Sequence, residues 1–203
     1  MHVAAAVGLV PALPHRDASP VRGGTRPRAA ADTAFPRGTL ATVADVEVVR
    51  AGVEDFQDAR DVRLRALADA PEAFASSRER EEAFDDDEWR RRVTTNAWFL
   101  ARADGATVGL ACGIPEPDDD AGRHLVGMWV DPAFRGRGLS DLLVAAVMAW
   151  ARRERATFLA LWVVDGNDRA LGFYERLGFE VTGEQQPLPG RPEVTESRMR
   201  LLL

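Results

Sequence analysis

Two glycines and two arginines crowd residues 130–140, which read Val-Asp-Pro-Ala-Phe-Arg-Gly-Arg-Gly-Leu-Ser and lead from a strand into a helix. The first turn of a helix leaves backbone N–H groups without partners, and the helix dipole is positive there. Gly136 and Gly138 let that backbone approach a bulky anion closely, while Arg135 and Arg137 add positive charge. The arrangement suits a diphosphate, and on these grounds alone any phosphate-bearing cofactor fits. A dinucleotide fingerprint does not. Aligning G-x-G-x-x-G on Gly136 puts Asp141 where a third small residue is needed, and the acid expected about 20 positions on is met only by Glu154, on the wrong element.

Other chemistries are excluded by composition. All 26 basic residues are Arg, so a Schiff-base lysine and the lysine-bearing P-loop are both absent. One cysteine, Cys112, lies in an apolar stretch and reads as a small buried hydrophobe. With His2, His15 and His124 scattered along the chain it gives no metal-ligand spacing, and no metal is expected. A formal charge of −6 argues against nucleic acid and anionic membrane as partners. The longest apolar runs fall short of the roughly 18 residues of a membrane span. Residues 1–13 lack the basic start of a signal peptide and are interrupted by Pro11. A cytoplasmic, reducing setting is expected.

The elements that must position the motif follow from periodicity. Residues 1–44 hold five Arg against Asp17 and Asp32, five prolines and no sustained period, and read as a flexible tail. Residues 45–203 read as one mixed α/β domain of about seven strands and four helical segments. Val46 to Val49 is a strand, and Glu54 to Ala68 a helix ended by Pro71. The acidic run Glu79 to Glu88 falls within broken helix and reads as a solvated face balanced by Arg90 to Arg92. Asp104-Gly105 supplies the turn of a hairpin between Ala97 to Ala103 and Ala106 to Ile114. A fourth strand, His124 to Val130, delivers the chain to the glycines. The helix from Leu139 to about Arg155 carries a continuous apolar face, and Thr157 to Val164 is apolar enough to be a fifth strand covered on both sides. Asn167 caps a helix from Asp168 to Leu177, and two strands, Phe179 to Gly183 and Thr195 to Leu202, finish the chain.

With these elements placed, residues 130–144 resemble the acyl-CoA pyrophosphate motif of the GNAT superfamily of N-acyltransferases, Arg/Gln-x-x-Gly-x-Gly/Ala, read here as Arg135, Gly138 and Ser140. Residues 167–179 are similar to the family's N-x-x-A-x-x-x-Y-x-x-x-G-F segment, through Asn167, Ala170, Tyr174, Gly178 and Phe179. Arg63 to Leu67 with Pro71 to Phe74 resembles the opening helices of bacterial members. The resemblance covers residues 45–203 and implies a mixed, mostly antiparallel sheet whose fourth and fifth strands splay apart to admit pantetheine. It implies acetyl-CoA as co-substrate, its pyrophosphate on the backbone of Arg135, Gly136, Arg137, Gly138, Leu139 and Ser140. Trp129 and Val130 would lie beside the pantetheine arm, and Asn167 would contact it. Tyr174, the only tyrosine, would protonate the leaving thiolate. Ser140 departs from the usual Gly or Ala but is small. The resemblance implies acetyl transfer to a primary amine of a small molecule by direct attack in a ternary complex, since no cysteine sits in either motif. A protein N-terminus, a peptide or a non-catalytic acyl-CoA-binding role are the alternatives, and a homodimer is left open. Family members often use a carboxylate near the fourth strand as base. This strand has none, and Glu116, Asp118 to Asp120 and His124 read as solvated loop residues, so no base is assigned.

Overall fold

A computed structural model of the chain describes residues 39–43, 46–117 and 119–203. Most of the stretch read as a tail lies outside the described residues, but residues 39–43 form a strand, β1 (Thr39–Val43), so the sheet begins before residue 45. It pairs with β2 (Val46–Arg50), and the sheet runs β1-β2-β3-β4-β5-β6-β8-β7. The central strands are β3 (Ala97–Ala103), β4 (Ala106–Pro115), β5 (Gly122–Val130) and β6 (Phe158–Val164); β7 (Glu180–Leu188) and β8 (Arg191–Leu202) form the far edge. Eight strands replace the expected seven, and the last two are longer than the sequence pattern indicated. Every pairing is antiparallel except β5 with β6.

Helices cover both faces. The first is α1 (Phe56–Asp69), with α2 (Arg78–Glu82) and α3 (Asp86–Thr95) following it; α4 (Leu139–Arg153) and α5 (Asp168–Arg176) complete the set. Strand alternation splits the core into two clusters. Leu125, Leu159, Leu161 and Val163 pack with Leu143, Val147 and Tyr174 of α4 and α5. Cys112, Val126 and Trp129 pack with Val62, Ala66, Trp89 and Trp98 on the α1–α3 face. Burial pushes the Cys112 thiol up to about 12, so it is the inert hydrophobe its surroundings suggested.

The splay has a visible cause. β5 pairs with β6 only through Gly122–Phe158, Arg123–Leu159 and His124–Ala160. Beyond that point Leu110 faces Trp129 and Cys112 faces Val126 across the β4–β5 ladder, so Gly127 and Met128 together oppose Ala111 alone. This is a β-bulge, which bends and twists the strand that carries it. Gly127 has φ +66°, a conformation that glycine adopts without steric cost. Bent here, β5 leaves β6 for the rest of its length.

Candidate active site

The mouth of the gap is the start of α4. Asp131 caps a short turn by accepting from the Ala133 amide, and the chain then passes through Gly136 (φ +77°) to Gly138 (φ +79°) at the N-cap. A Cβ at either glycine would meet nothing within 4 Å, so conformation rather than crowding demands glycine there. Leu142 donates to the Gly138 carbonyl to close the first turn. The amides of Leu139, Ser140 and Asp141 thus begin the helix without intrahelical partners, in the geometry an anion needs.

The two arginines are placed differently, and Arg135 departs from its reading as a phosphate charge. Arg135 turns inward: its Nε donates to the Val130 carbonyl at 2.9 Å and its Nη2 to Asp69 at 2.5 Å. Asp69, at the end of α1, also accepts from the Trp129 indole at 2.8 Å. Trp129 is therefore buried in the α1–α3 face and held by a carboxylate. This clasp fixes the end of β5 against α1. Arg137 lies over the Phe134 ring at 5.1 Å. Asp141 is paired with Arg176 at 2.8 Å, which ties the start of α4 to the end of α5.

Tyr174 is fully buried, with Phe173 and Phe179 edge-on at ring-centroid distances of 5.0 and 5.6 Å. Burial raises its pKa, so the phenol stays protonated and keeps a proton to donate. Among the described residues its hydroxyl has no hydrogen-bond partner. Buried polar atoms are almost always satisfied, so an orphan marks a place for a ligand atom or a strain worth explaining. The residues present fit an acyl-CoA thioester, whose sulfur can accept such a hydrogen bond. Asn167 caps α5, its Oδ1 accepting from Ala170 at 3.1 Å. It lines a cavity of about 420 Å³ with Glu72, Ala73 and residues 164–169, where the β6–α5 turn meets the loop after α1. Arg191 of β8 reaches the carbonyls of Pro71 and Glu72 and holds that loop over the sheet.

Two buried groups were not singled out in the sequence. Glu81, within the acidic run, is not solvated: it is fully buried, with Arg63 at 2.8 Å and Arg92 at 3.7 Å. Glu196, on β8 opposite Val164, is also fully buried, and its Oε1 accepts from Gln186 at 2.6 Å. Burial pushes its carboxyl up to about 7; Gln186 opposes this and the charge of Asp165 adds to it. A raised carboxyl leaves the folded state holding a proton that the unfolded state has lost. Stability should therefore fall as pH rises from about 4.5 to about 7 and level off above. Glu196→Gln should flatten that slope, so thermal melts at pH 5 and pH 8 should differ less than in the wild type.

Glu116 and His124 are not solvated loop residues either. Both are buried, with His124 Nδ1 2.8 Å from one Glu116 oxygen and Arg198 2.6 Å from the other. Asp119 and Asp120 remain exposed, while Asp118 lies outside the described residues. Among the described residues there is no cluster fit to hold a metal and no helix long and apolar enough to cross a membrane.

Comparison with known proteins agrees with this geometry. A mycothiol acetyltransferase of Thermobifida fusca is 30% identical over 176 residues, covering 80% of this chain and 52% of that enzyme. The peptidyl-lysine N-acetyltransferase YjaB of Salmonella typhimurium is 28% identical over 115 residues, or 48% of this chain and 76% of its own length. The chain spans about half the length of most curated relatives it matches. The solved structure of YncA from Salmonella typhimurium with its cofactor acetyl-CoA has the same fold, with a TM-score of 0.63 at 19% identity over 78% of this chain and 94% of that one. The sequence model of the acetyltransferase (GNAT) family matches residues 63–179, from the buried Arg63 of α1 through the α4 glycines to Phe179 after α5. With the splayed strands, the glycine-led helix and the buried tyrosine all in that span, the chain belongs to the acetyltransferase (GNAT) family.

Proposed function

We propose that this chain transfers an acetyl group from acetyl-CoA to a primary amine of a small molecule, by direct attack while both are bound. The observation that carries the reading is the unpartnered hydroxyl of Tyr174, buried beside the gap that the Gly127 bulge opens. Acetyl-CoA bound there supplies an activated thioester; this chain's residues bind and orient it. The α4 amides of Leu139, Ser140 and Asp141 hold the pyrophosphate, the backbone around Trp129 and Val130 flanks the pantetheine arm, and Asn167 meets it from the facing turn. Tyr174 donates its proton to the departing sulfur. The 420 Å³ cavity beside the gap carries Glu72, Asp165 and Asp168 against Arg169, an acidic balance that favours a cationic amine. Its size and the Arg191-held loop favour a small molecule over a folded protein, and the likeness to a mycothiol acetyltransferase points the same way.

Free-thiol release from acetyl-CoA, assayed against alkylamines, polyamines, aminoglycosides and peptides, tests the proposal. Release with a small amine is expected; release with peptides alone would favour the kind of substrate for which YjaB is named, and none at all would overturn enzyme activity. Gly138→Val tests the cradle. A β-branched side chain at φ +79° costs of order 1–3 kcal/mol of local strain and shifts the first-turn amides. Calorimetry should show CoA affinity falling about tenfold or more. Unchanged affinity would place the pyrophosphate elsewhere.

A further inference from the structure

We propose that His124 is the base that takes the proton from the incoming amine, with Glu116 as its positioning residue; this rests on the acetyl-transfer reading above. His124 occupies the last paired rung of the β5–β6 ladder, where the strands part. It is two residues before Val126 on a regular stretch of strand, so it shares the α1–α3 face, opposite Tyr174. Its ring is buried, Nδ1 is held 2.8 Å from Glu116, and Nε2 has no partner among the described residues. Glu116 is fixed in turn by Arg198, which also binds Glu184 at 2.7 Å. A carboxylate accepting from Nδ1–H leaves Nε2 as a bare lone pair, the form a base needs. Two polar atoms without partners among the described residues thus flank one gap from opposite faces: a phenol that carries a proton to donate and an imidazole nitrogen set to accept.

An acceptor amine needs such a group. With a pKa near that of lysine, about 10.4, only roughly one molecule in 2,500 is neutral at pH 7. Nε2 takes one proton from the ammonium, and the freed lone pair forms the N–C bond at the thioester carbonyl. The C–S bond breaks with its electron pair on sulfur, which receives the Tyr174 proton. The second proton lost by nitrogen restores the phenol, and the imidazolium passes its own to water, so one proton is released per amide formed. The other charged groups facing this side are Glu196, Arg198 and Arg200 of β8, Glu184 of β7, the Arg63–Glu81 pair of α1 and α2, and Arg92 of α3; Arg200, paired with Ala160, lies over the Phe158 ring at 5.5 Å, and Arg63, Glu81, Arg92, Arg198 and Glu184 are already bound to opposite charges.

The test compares wild type and His124→Gln with whichever panel amine the wild type acetylates fastest, from pH 6 to pH 10. The variant should lose about 10- to 100-fold in kcat at pH 7 with CoA affinity unchanged by calorimetry. That deficit should close toward pH 10, where the amine loses its proton unaided; a merely structural histidine would not produce this convergence. Thiol release at the wild-type rate and with the wild-type pH profile would overturn the role of His124 alone. A wild type that releases no thiol with any amine would overturn the acetyl-transfer reading and this proposal with it. Should His124→Gln not fold, Glu116→Gln takes its place. A smaller kcat loss with the same closing at high pH supports the proposal, and an unaltered profile overturns it.

Discussion

Tyr174→Phe is expected to lower turnover by roughly 10- to 1000-fold while leaving CoA affinity nearly unchanged. The ring packs between Phe173 and Phe179, and phenylalanine keeps that packing, so only the hydroxyl is lost. Among the described residues this hydroxyl is buried without a partner, an arrangement that costs about 1–3 kcal/mol. The variant should therefore melt at the same temperature as the wild type or higher, even as it turns over more slowly. Lost activity with gained stability is the signature of a group held for the transition state rather than for the fold. Because burial raises its pKa, Tyr174 stays protonated throughout the working range and should place no limb on the pH profile. Steady-state kinetics, CoA calorimetry and thermal melts read the three parts separately. Wild-type turnover in the variant would remove Tyr174 from the mechanism.

What could be read from sequence was set by how local its cause is. The Asp104-Gly105 turn appears as expected, with φ +50° and +77°, because that dipeptide carries its own conformational preference. The apolar stripe of α4 and the Asn167 cap of α5 are equally local, and both helices lie within a residue or two of the expected bounds. β1 was hidden because five residues beside a proline-rich stretch carry too little period to register. β7 and β8 were read too short because Pro187, Gly190 and a run of polar residues look like a loop, while their pairing is supplied by each other. Gly127 was the legible signal that went unused, since an isolated glycine in a strand marks a bulge. The site's polar contacts were beyond reach for another reason. Asp69 meets Arg135, Glu116 meets Arg198, and Arg63 meets Glu81 across 66, 82 and 18 residues of chain, and only the folded sheet brings them together. A carboxylate in an acidic run looks the same whether it is solvated or buried.

Glu81→Ala should be among the most destabilising single changes in the chain. Arg63 and Glu81 are 1% and 0% exposed and joined by three hydrogen bonds of 2.8 to 3.2 Å. Removing one partner strands the other charge in the core, which typically costs 3–5 kcal/mol, or a Tm lower by roughly 10 °C in a chain of this size. Burial alone would raise the Glu81 carboxyl, but Arg63, then Arg92 and Ser76, outweigh it and hold the pKa below its usual 4.5. A depressed carboxyl contributes stability above its unfolded value that is lost as pH falls through the folded one. The variant's deficit should therefore be full at pH 7 and shrink below about pH 4.5. Well-packed apolar pairs often match a buried ion pair in stability. Arg63→Met with Glu81→Leu should recover part of the loss, though Arg92 would still lack its carboxylate. Arg63 has a second task. Its Nη1 lies 3.7 Å from where a Cβ on Gly127 would stand, against the bulge that parts β5 from β6. If the double variant regains stability but not thiol release, the ion pair is kept for the shape of the gap; if it regains both, the bulge holds that shape without the guanidinium.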